Sequence, residues 1–563
     1  MNSLFRKKSI TQVLKDVEAK EKSGSSGLSR VLNVKDLTAF GIAAIIGAGI
    51  FSTIGNASFN GGAAVSMLFV FIAIACAFTG LCYAQFASTV PVSGSAYTYT
   101  YVSFGELLAW IIGWALILEY AVSNMVIAIG WSGYFCEMLE QFGIHFPEYL
   151  ATDYVTARDG FAEFQKVTQA GGAPSPQVAA QAEAFQNAPT IGGLRVLMNI
   201  PAALVTTFIT VLAYIGIKES RTTSNALVMF KVAVILVVIV IGAFYVNPAN
   251  WTPFAPNGVN GVLLSVASVF FAFIGFDSVS TTAEECENPQ KDLPRAIIYC
   301  LIICTILYVA IALVLNGMVS YKELKVDDPL AYVFKSVSVN AVGWQKSFLE
   351  SLSGIIAVSA VVAMTSALLA YQIGQPRIWM SMSRDGLLPK SFGKIHPKYK
   401  TPSFSTILTG FLVAVPSLFL NMGFVTDLTS VGTLFAFIIV CAGVLYLDKQ
   451  GNPSRFKVPY VSGKYLVGGL FLAMLVWSYA QGHFVENLQT KPLIAVLWLT
   501  WLGLSVASFV NNYSLLPVLG ILTNLYLMTE LGVSNWIMFL IWLAIGLVIY
   551  FGYGYRKSNL VRD

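Results

Sequence analysis

Apolar residues fall into fourteen long runs, at roughly 37–58, 63–88, 105–138, 194–216, 222–246, 259–283, 295–319, 348–374, 403–421, 425–447, 463–481, 491–510, 514–531 and 534–554. Each approaches or exceeds the ~20 residues a helix needs to cross a bilayer core, so the pattern predicts an all-α polytopic membrane protein of about 14 spans. Two runs are interrupted. Residues 43–51 read AAIIGAGIF and residues 270–277 read FFAFIGFD, each placing glycine where a lipid-embedded helix needs continuity. Glycine inside a helix costs about 1 kcal/mol relative to alanine, and a freed amide or carbonyl in lipid costs more unless something binds it. The breaks therefore invite a ligand. Runs 1–5 and 6–10 overlay so that each set begins with its broken helix, and because five is odd the second set runs the opposite way. That predicts an inverted repeat with a site between the halves.

Composition agrees and charge adds an orientation. The 563 residues are 56% hydrophobic and only 11% charged, too apolar for a soluble protein and too long for one core. Alternating the spans from an inside N-terminus puts most Lys/Arg on one side: the arm 1–36, Lys218 and Arg221, Lys291 and Arg295, the loop 377–400, the segment 449–464, and Arg556, Lys557 and Arg562. The opposite side keeps Arg158, Lys166, Arg195, Lys322, Lys325, Lys335, Lys346 and Lys491. This asymmetry predicts both termini in the cytoplasm. Residues 1–36 are polar and carry no apolar signal-peptide core, and the extracellular insertion 141–193 reads as either a helical cap or a loop. The seven cysteines lie in or beside apolar runs without metal-ligand spacing, which favours helix packing.

No cofactor, metal or nucleic-acid partner is expected. HExxH, G-x-S-x-G and phosphate-loop motifs are missing, and the three histidines fall in loops. The expected partners are the bilayer, a small zwitterion and protons, with an accessory subunit left undecided. At the first break the chain is expected to unwind around Ile45, Ile46, Gly47, Ala48, Gly49 and Ile50, so that free N–H groups at the positive end of the next half-helix meet a carboxylate. A glycine-lined packing seam is the bland alternative. At the second break, Gly275 permits unwinding and the carbonyls around Phe271, Ala272, Phe273 and Ile274 suit an ammonium.

Three ionisable residues lie inside apolar runs, and each is a functional candidate by cost alone. Lys231 is about ten residues past Arg221, hence roughly 15 Å deep. A desolvated lysine can lose and regain its proton, whereas a snorkelling lysine would need an interface within one side-chain length. Glu119 lies mid-span in the third run, where substrate contact and structural support weigh equally. Asp277 adjoins the second break, as a cap for freed amides or as a substrate contact.

Several strings resemble one family: PVSGSAYTY (91–99), WALILEY (114–120), IKESRTTSN (217–225), EECENPQKDLPRAI (284–297) and SRDGLLP (383–389), beside the two breaks. Together they are similar to the amino acid–polyamine–organocation superfamily, in its cationic amino acid transporter branch. The resemblance implies a LeuT-like 5+5 inverted repeat with broken helices 1 and 6 plus four C-terminal helices. The arm is then 1–36, the first repeat 37–246, the second 247–447, the C-terminal spans 448–554 and the tail 555–563. It also implies that Lys231 takes the place of a sodium ion, bracing the first helix against eighth-helix hydroxyls, here Thr365 and Ser366. Met364 corresponds to a pocket position whose bulk favours small neutral substrates such as alanine, although a gap-filling core methionine is the alternative. The resulting expectation is a proton-coupled symporter of small neutral L-amino acids in the cell membrane. Cationic amino acids are the alternative substrates, and an amino-acid sensor or a channel is the alternative class. The loops holding Arg384, Asp385, Glu284, Glu285 and Glu287 are expected to pair across an inner gate or to remain solvated.

Overall fold

In a computed structural model the described residues are 6–7, 32–89, 95–172, 174, 176–216, 221–449, 456–480, 484, 488–489 and 491–561. Most of the basic arm, Lys218 and Arg562 lie outside them, as do parts of the 91–99 and 217–225 strings; the side chains of Glu284 and Glu285 are likewise not described.

The chain enters the membrane through a capping box. Asn33 accepts from the amides of Lys35 and Asp36, and Asp36 accepts from the amide of Asn33, which satisfies the first turn of α1 (Val34–Ile45). A π-helical turn at Gly49–Thr53 and α2 (Ile54–Gly61) complete this interrupted element. Then follow α3 (Val65–Thr89), α4 (Ser95–Ser103) and α5 (Glu106–Gln141). The insertion is not a bare loop. It forms α6 (Tyr154–Gln169), α7 (Pro176–Asn187) and a two-residue-strand hairpin, around a small apolar cluster of Ala157, Ala184, Ala188 and Leu197.

The membrane part continues with α8 (Ile200–Ile215) and α9 (Arg221–Ala243), and then reaches the second break, where α10 (Gly258–Leu264) and α11 (Val266–Phe271) lead into a 3-10 segment, Phe276–Glu285. After it come α12 (Pro289–Met318), the short α13 (Pro329–Ser338), α14 (Trp344–Arg384), α15 (Ser403–Ser417) and α16 (Met422–Lys449). The last helices are α17 (Leu466–Ala480), α18 (Leu493–Asn511), α19 (Leu515–Thr529) and α20 (Val533–Ile549). Among the described residues eight helices are long and apolar enough to cross a membrane, or nine with the bent pair around residue 265, and four more apolar helices are shorter.

Helix α5 has 36 residues and α14 has 41, both longer than a ~30 Å hydrocarbon core requires. They pack along each other and form the central wall. Buried polar groups tie that wall together in lipid, where an unmet hydrogen bond is costly. The Asn124 amide donates to Gln372 (2.6 Å), and Gln372 donates to Thr210 of α8 (2.9 Å). Trp131 of α5 donates to the Thr365 hydroxyl of α14 (2.9 Å).

The C-terminal end folds back onto the face that carries Arg377 and Arg384. The Glu106 carboxylate, fully buried, accepts hydrogen bonds from Tyr101 (3.0 Å), Tyr550 (3.0 Å) and Ser558 (2.5 Å). Asn559 donates its side chain to the Arg384 carbonyl and its amide to the Asp385 carbonyl. The tail is thus part of this face.

Candidate functional site

The two breaks touch, and glycine makes the contact possible. A Cβ on Gly49 would lie 2.4 Å from the Ala272 Cα, and one on Gly275 would lie 2.7 Å from the Ala44 carbonyl oxygen. Gly275 also has φ +116°, a conformation that side-chain-bearing residues avoid. Gly47 differs, since a Cβ there would meet only the Ala367 methyl at 3.8 Å, an ordinary contact.

Partners from elsewhere in the chain meet the carbonyls that the first break frees. The Lys231 ammonium lies 3.4 Å from the Ala43 oxygen and 3.3 Å from the Ile46 oxygen. Tyr308 donates to the Ile45 carbonyl (3.0 Å), and Tyr134 donates to the Phe51 carbonyl (2.5 Å). Thr53 donates to Gly49 (2.8 Å) and to Ser268 in the second interrupted element (3.1 Å). At the second break local bonds predominate: Phe273 N–H to Phe270, Ile274 N–H to Phe271 (3.2 Å), and both the amide and the hydroxyl of Ser278 to Gly275. The Phe271 carbonyl, expected to await an ammonium, thus already accepts a bond. Phe273 packs on Phe69 and Tyr308, and Phe276 on Tyr83 and Phe437.

A cavity of about 470 Å³ opens beside the breaks. Phe40, Ala43 and Ala44 line it from α1, and Ile274, Gly275, Asp277 and Ser278 from the second break. Lys231 enters from α9 with Leu227 and Val228 one turn earlier, and Glu119 enters with Tyr120 from α5. Ser366, Tyr371, Gly374 and Arg377 follow the helical repeat of α14 outward to the Arg-bearing face. Lys231, Glu119 and Asp277 are all nearly inaccessible, at 2%, 3% and 4% exposure. One oxygen of Glu119 has no hydrogen-bond partner, so a buried acceptor faces an acid-lined cavity.

The structure brings together five of the residues singled out from sequence on this wall: Lys231, Glu119, Asp277, Ile274 and Ser366. Ile45, Ile46, Gly47, Ala48, Gly49 and Ile50 do not line it, nor do Phe271, Ala272 and Phe273; of these, Gly49 and Ala272 meet at the contact between the breaks. Thr365 turns to Trp131, while Met364, fully buried, faces the Ser52 hydroxyl (3.9 Å) instead of the cavity. Sequence reading missed Tyr120, Leu227, Val228, Tyr371 and Arg377. A helical repeat counted from Lys231 finds Leu227 and Val228 at i−4 and i−3, and the repeat from Ser366 finds Ala370, Ile373 and Arg377. Just after α14, Asp385 receives the Tyr97 hydroxyl (2.7 Å).

Helices that are broken and paired around a half-enclosed, charged cavity define a membrane transporter. The amino acid permease family model matches residues 32–504, and a second model, for the permease C-terminus, matches residues 513–558. The chain belongs to the amino acid permease family and is a transporter, not an enzyme. It is 36% identical to the methylthioribose transporter of Bacillus subtilis, over the full length of both chains, and 38% identical to the branched-chain amino acid permease BcaP of the same organism, over 99% of each. It is 31% identical to the vacuolar cationic amino acid transporter 4 of Arabidopsis thaliana, covering all of this chain and 97% of that one.

Proposed function

We propose that this transporter carries small neutral L-amino acids together with a proton by alternating access, as fourteen spans with both termini in the cytoplasm of a cell that bears it in its plasma or inner membrane. In this reading 37–246 and 247–447 are inverted five-helix repeats, 1–36 an inner arm, 448–554 four added spans and 555–563 the tail. The observation that carries it is the Lys231 ammonium between the Ala43 and Ile46 carbonyls. A buried charge is tolerated only where its bonds are met, so loss of the proton removes the charge assistance that holds α1 against α9. Freed α1 then swings and the cavity changes the side it opens to. The substrate carboxylate meets the N–H groups around Gly47 to Gly49, and its ammonium meets carbonyls flanking both breaks.

The branched-chain permease among the relatives supports a neutral apolar side chain, and so does the largely apolar cavity. One observation favours a second reading. Glu119 and Asp277 face the same cavity and would suit a cationic side chain, in keeping with the cationic relatives. Proteoliposomes loaded with unlabelled amino acid test all of this. Accelerated labelled uptake of alanine or leucine is expected, and its further drive by an inward proton gradient should be lost in Lys231→Met. Uptake of lysine in preference to both selects the cationic reading, and uptake by Lys231→Met that still follows the gradient refutes the coupling role. Ohmic conductance without exchange would mean a channel, and binding with neither would mean a sensor.

A further inference from the structure

A second, smaller cavity of about 150 Å³ lies at the Arg-bearing face, between the ends of α8, α14 and α15. Arg377 and Lys400 both line it and no acidic residue does. Among the described residues neither forms an ion pair. The remaining wall is apolar or hydroxylic, including Ile373, Met380, Ile395 and Thr401. The loop that carries Lys400 is built firmly onto the end of α8. Thr401 donates to the Tyr214 carbonyl (2.7 Å), the His396 amide donates to Thr401 (2.8 Å), and Tyr214 packs its ring against both His396 and Tyr399. Gly216, at φ +83°, admits this approach, since a Cβ there would stand 3.0 Å from the Tyr399 carbonyl. Lys400 itself turns the corner in the left-handed region, at φ 59°, where a lysine is strained. Exposed Ile215, Phe404 and Ile407 continue the apolar surface of α8 and α15.

We propose that this cavity binds a phosphate group, supplied by the headgroup of an anionic phospholipid whose acyl chains run along α8 and α15. Two convergent cations without an internal counter-ion suit a phosphate diester, and basic pockets between helices at the membrane surface recruit anionic headgroups. Arg377 also lines the transport cavity, so an occupied headgroup site draws one wall residue of that cavity outward. The lipid thereby adjusts how readily the cavity exchanges its contents with the basic face.

Native mass spectrometry of the full chain released from nanodiscs tests this. In phosphatidylglycerol the protein is expected to retain one lipid. Retention should fall about fivefold for each charge removed, in Lys400→Gln and in Arg377→Gln. Lys398→Gln removes equal charge from the same loop, but Lys398 stands over the Tyr399 ring outside the cavity; it should retain lipid normally. In phosphatidylcholine with added inorganic phosphate, a Lys400-dependent rise in Tm without lipid retention would support the anion site and assign it to free phosphate. Neither signal, or equal loss in Lys398→Gln, overturns the proposal. Lys400→Gln should transport normally in phosphatidylcholine and lose the change in transport rate that phosphatidylglycerol brings to the unmodified protein.

Discussion

The first break is held mainly by distant side chains and the second mainly by its own backbone. Lys231, Tyr308 and Tyr134 reach the first from α9, α12 and α5, and they approach or donate to its Ala43, Ile45, Ile46 and Phe51 carbonyls. The second closes mainly on its own amides and the Ser278 hydroxyl around Gly275, with Thr53 reaching the Ser268 carbonyl before it. A segment whose bonds are local keeps its shape whatever happens around it, whereas one held by a lysine can change when that lysine changes. The difference predicts that α1 rearranges more readily than the Phe276–Glu285 segment.

The comparison breaks most visibly at its charged partner. Lys231→Met should abolish pH-driven accumulation while leaving counterflow of the same amino acid measurable in vesicles, because the second break and the cavity acids are untouched. Next in size, Gly275→Ala combines a positive φ with a backbone clash and should cost roughly 2–4 kcal/mol, read as a fall in Tm in detergent. Gly49→Ala should do nearly as much against Ala272, since both glycines sit at the contact between the breaks. Tyr308→Phe should cost about 1–3 kcal/mol, because it leaves the Ile45 carbonyl buried without a donor; an unchanged Tm would mean that the first break can satisfy itself. The smallest effect is expected at Gly47→Ala, within about 1 kcal/mol of the unmodified protein and with either sign, since that glycine faces open packing. Equal damage from Gly47→Ala and Gly275→Ala in parallel melts would erase the distinction between the breaks.

What the sequence made legible follows the same division. Glycines inside apolar runs and a lysine far from any interface violate the rules of lipid burial, so residues 43–51, 270–277 and Lys231 stood out before any geometry was known. The walls of the cavity break no rule. Tyr120, Leu227 and Tyr371 are ordinary residues for a membrane helix, and only the rotation of α5, α9 and α14 about their axes turns them inward. Met364 shows the converse, since a plausible pocket position is rotated toward Ser52 instead. The insertion 141–193 stayed undecided because its Ala- and Gln-rich composition suits a helix and a loop alike; in the structure Asp153 caps α6 and Arg195 lies over the Phe185 ring of α7. Contacts such as Asn124 with Gln372, 248 positions apart, are pairings that periodicity cannot supply.

The carboxylate of Glu106 has one more consequence, for biogenesis. Its helix emerges early in synthesis, yet two of its three hydroxyl partners, Tyr550 and Ser558, are made almost last. Until they arrive, a carboxylate destined for complete burial has, among the described residues, Tyr101 alone to donate to it, and the loop at Arg384 and Asp385 lacks Asn559. A chain that stops short of Tyr550 therefore leaves the Glu106 carboxylate without two of the hydroxyls that serve it.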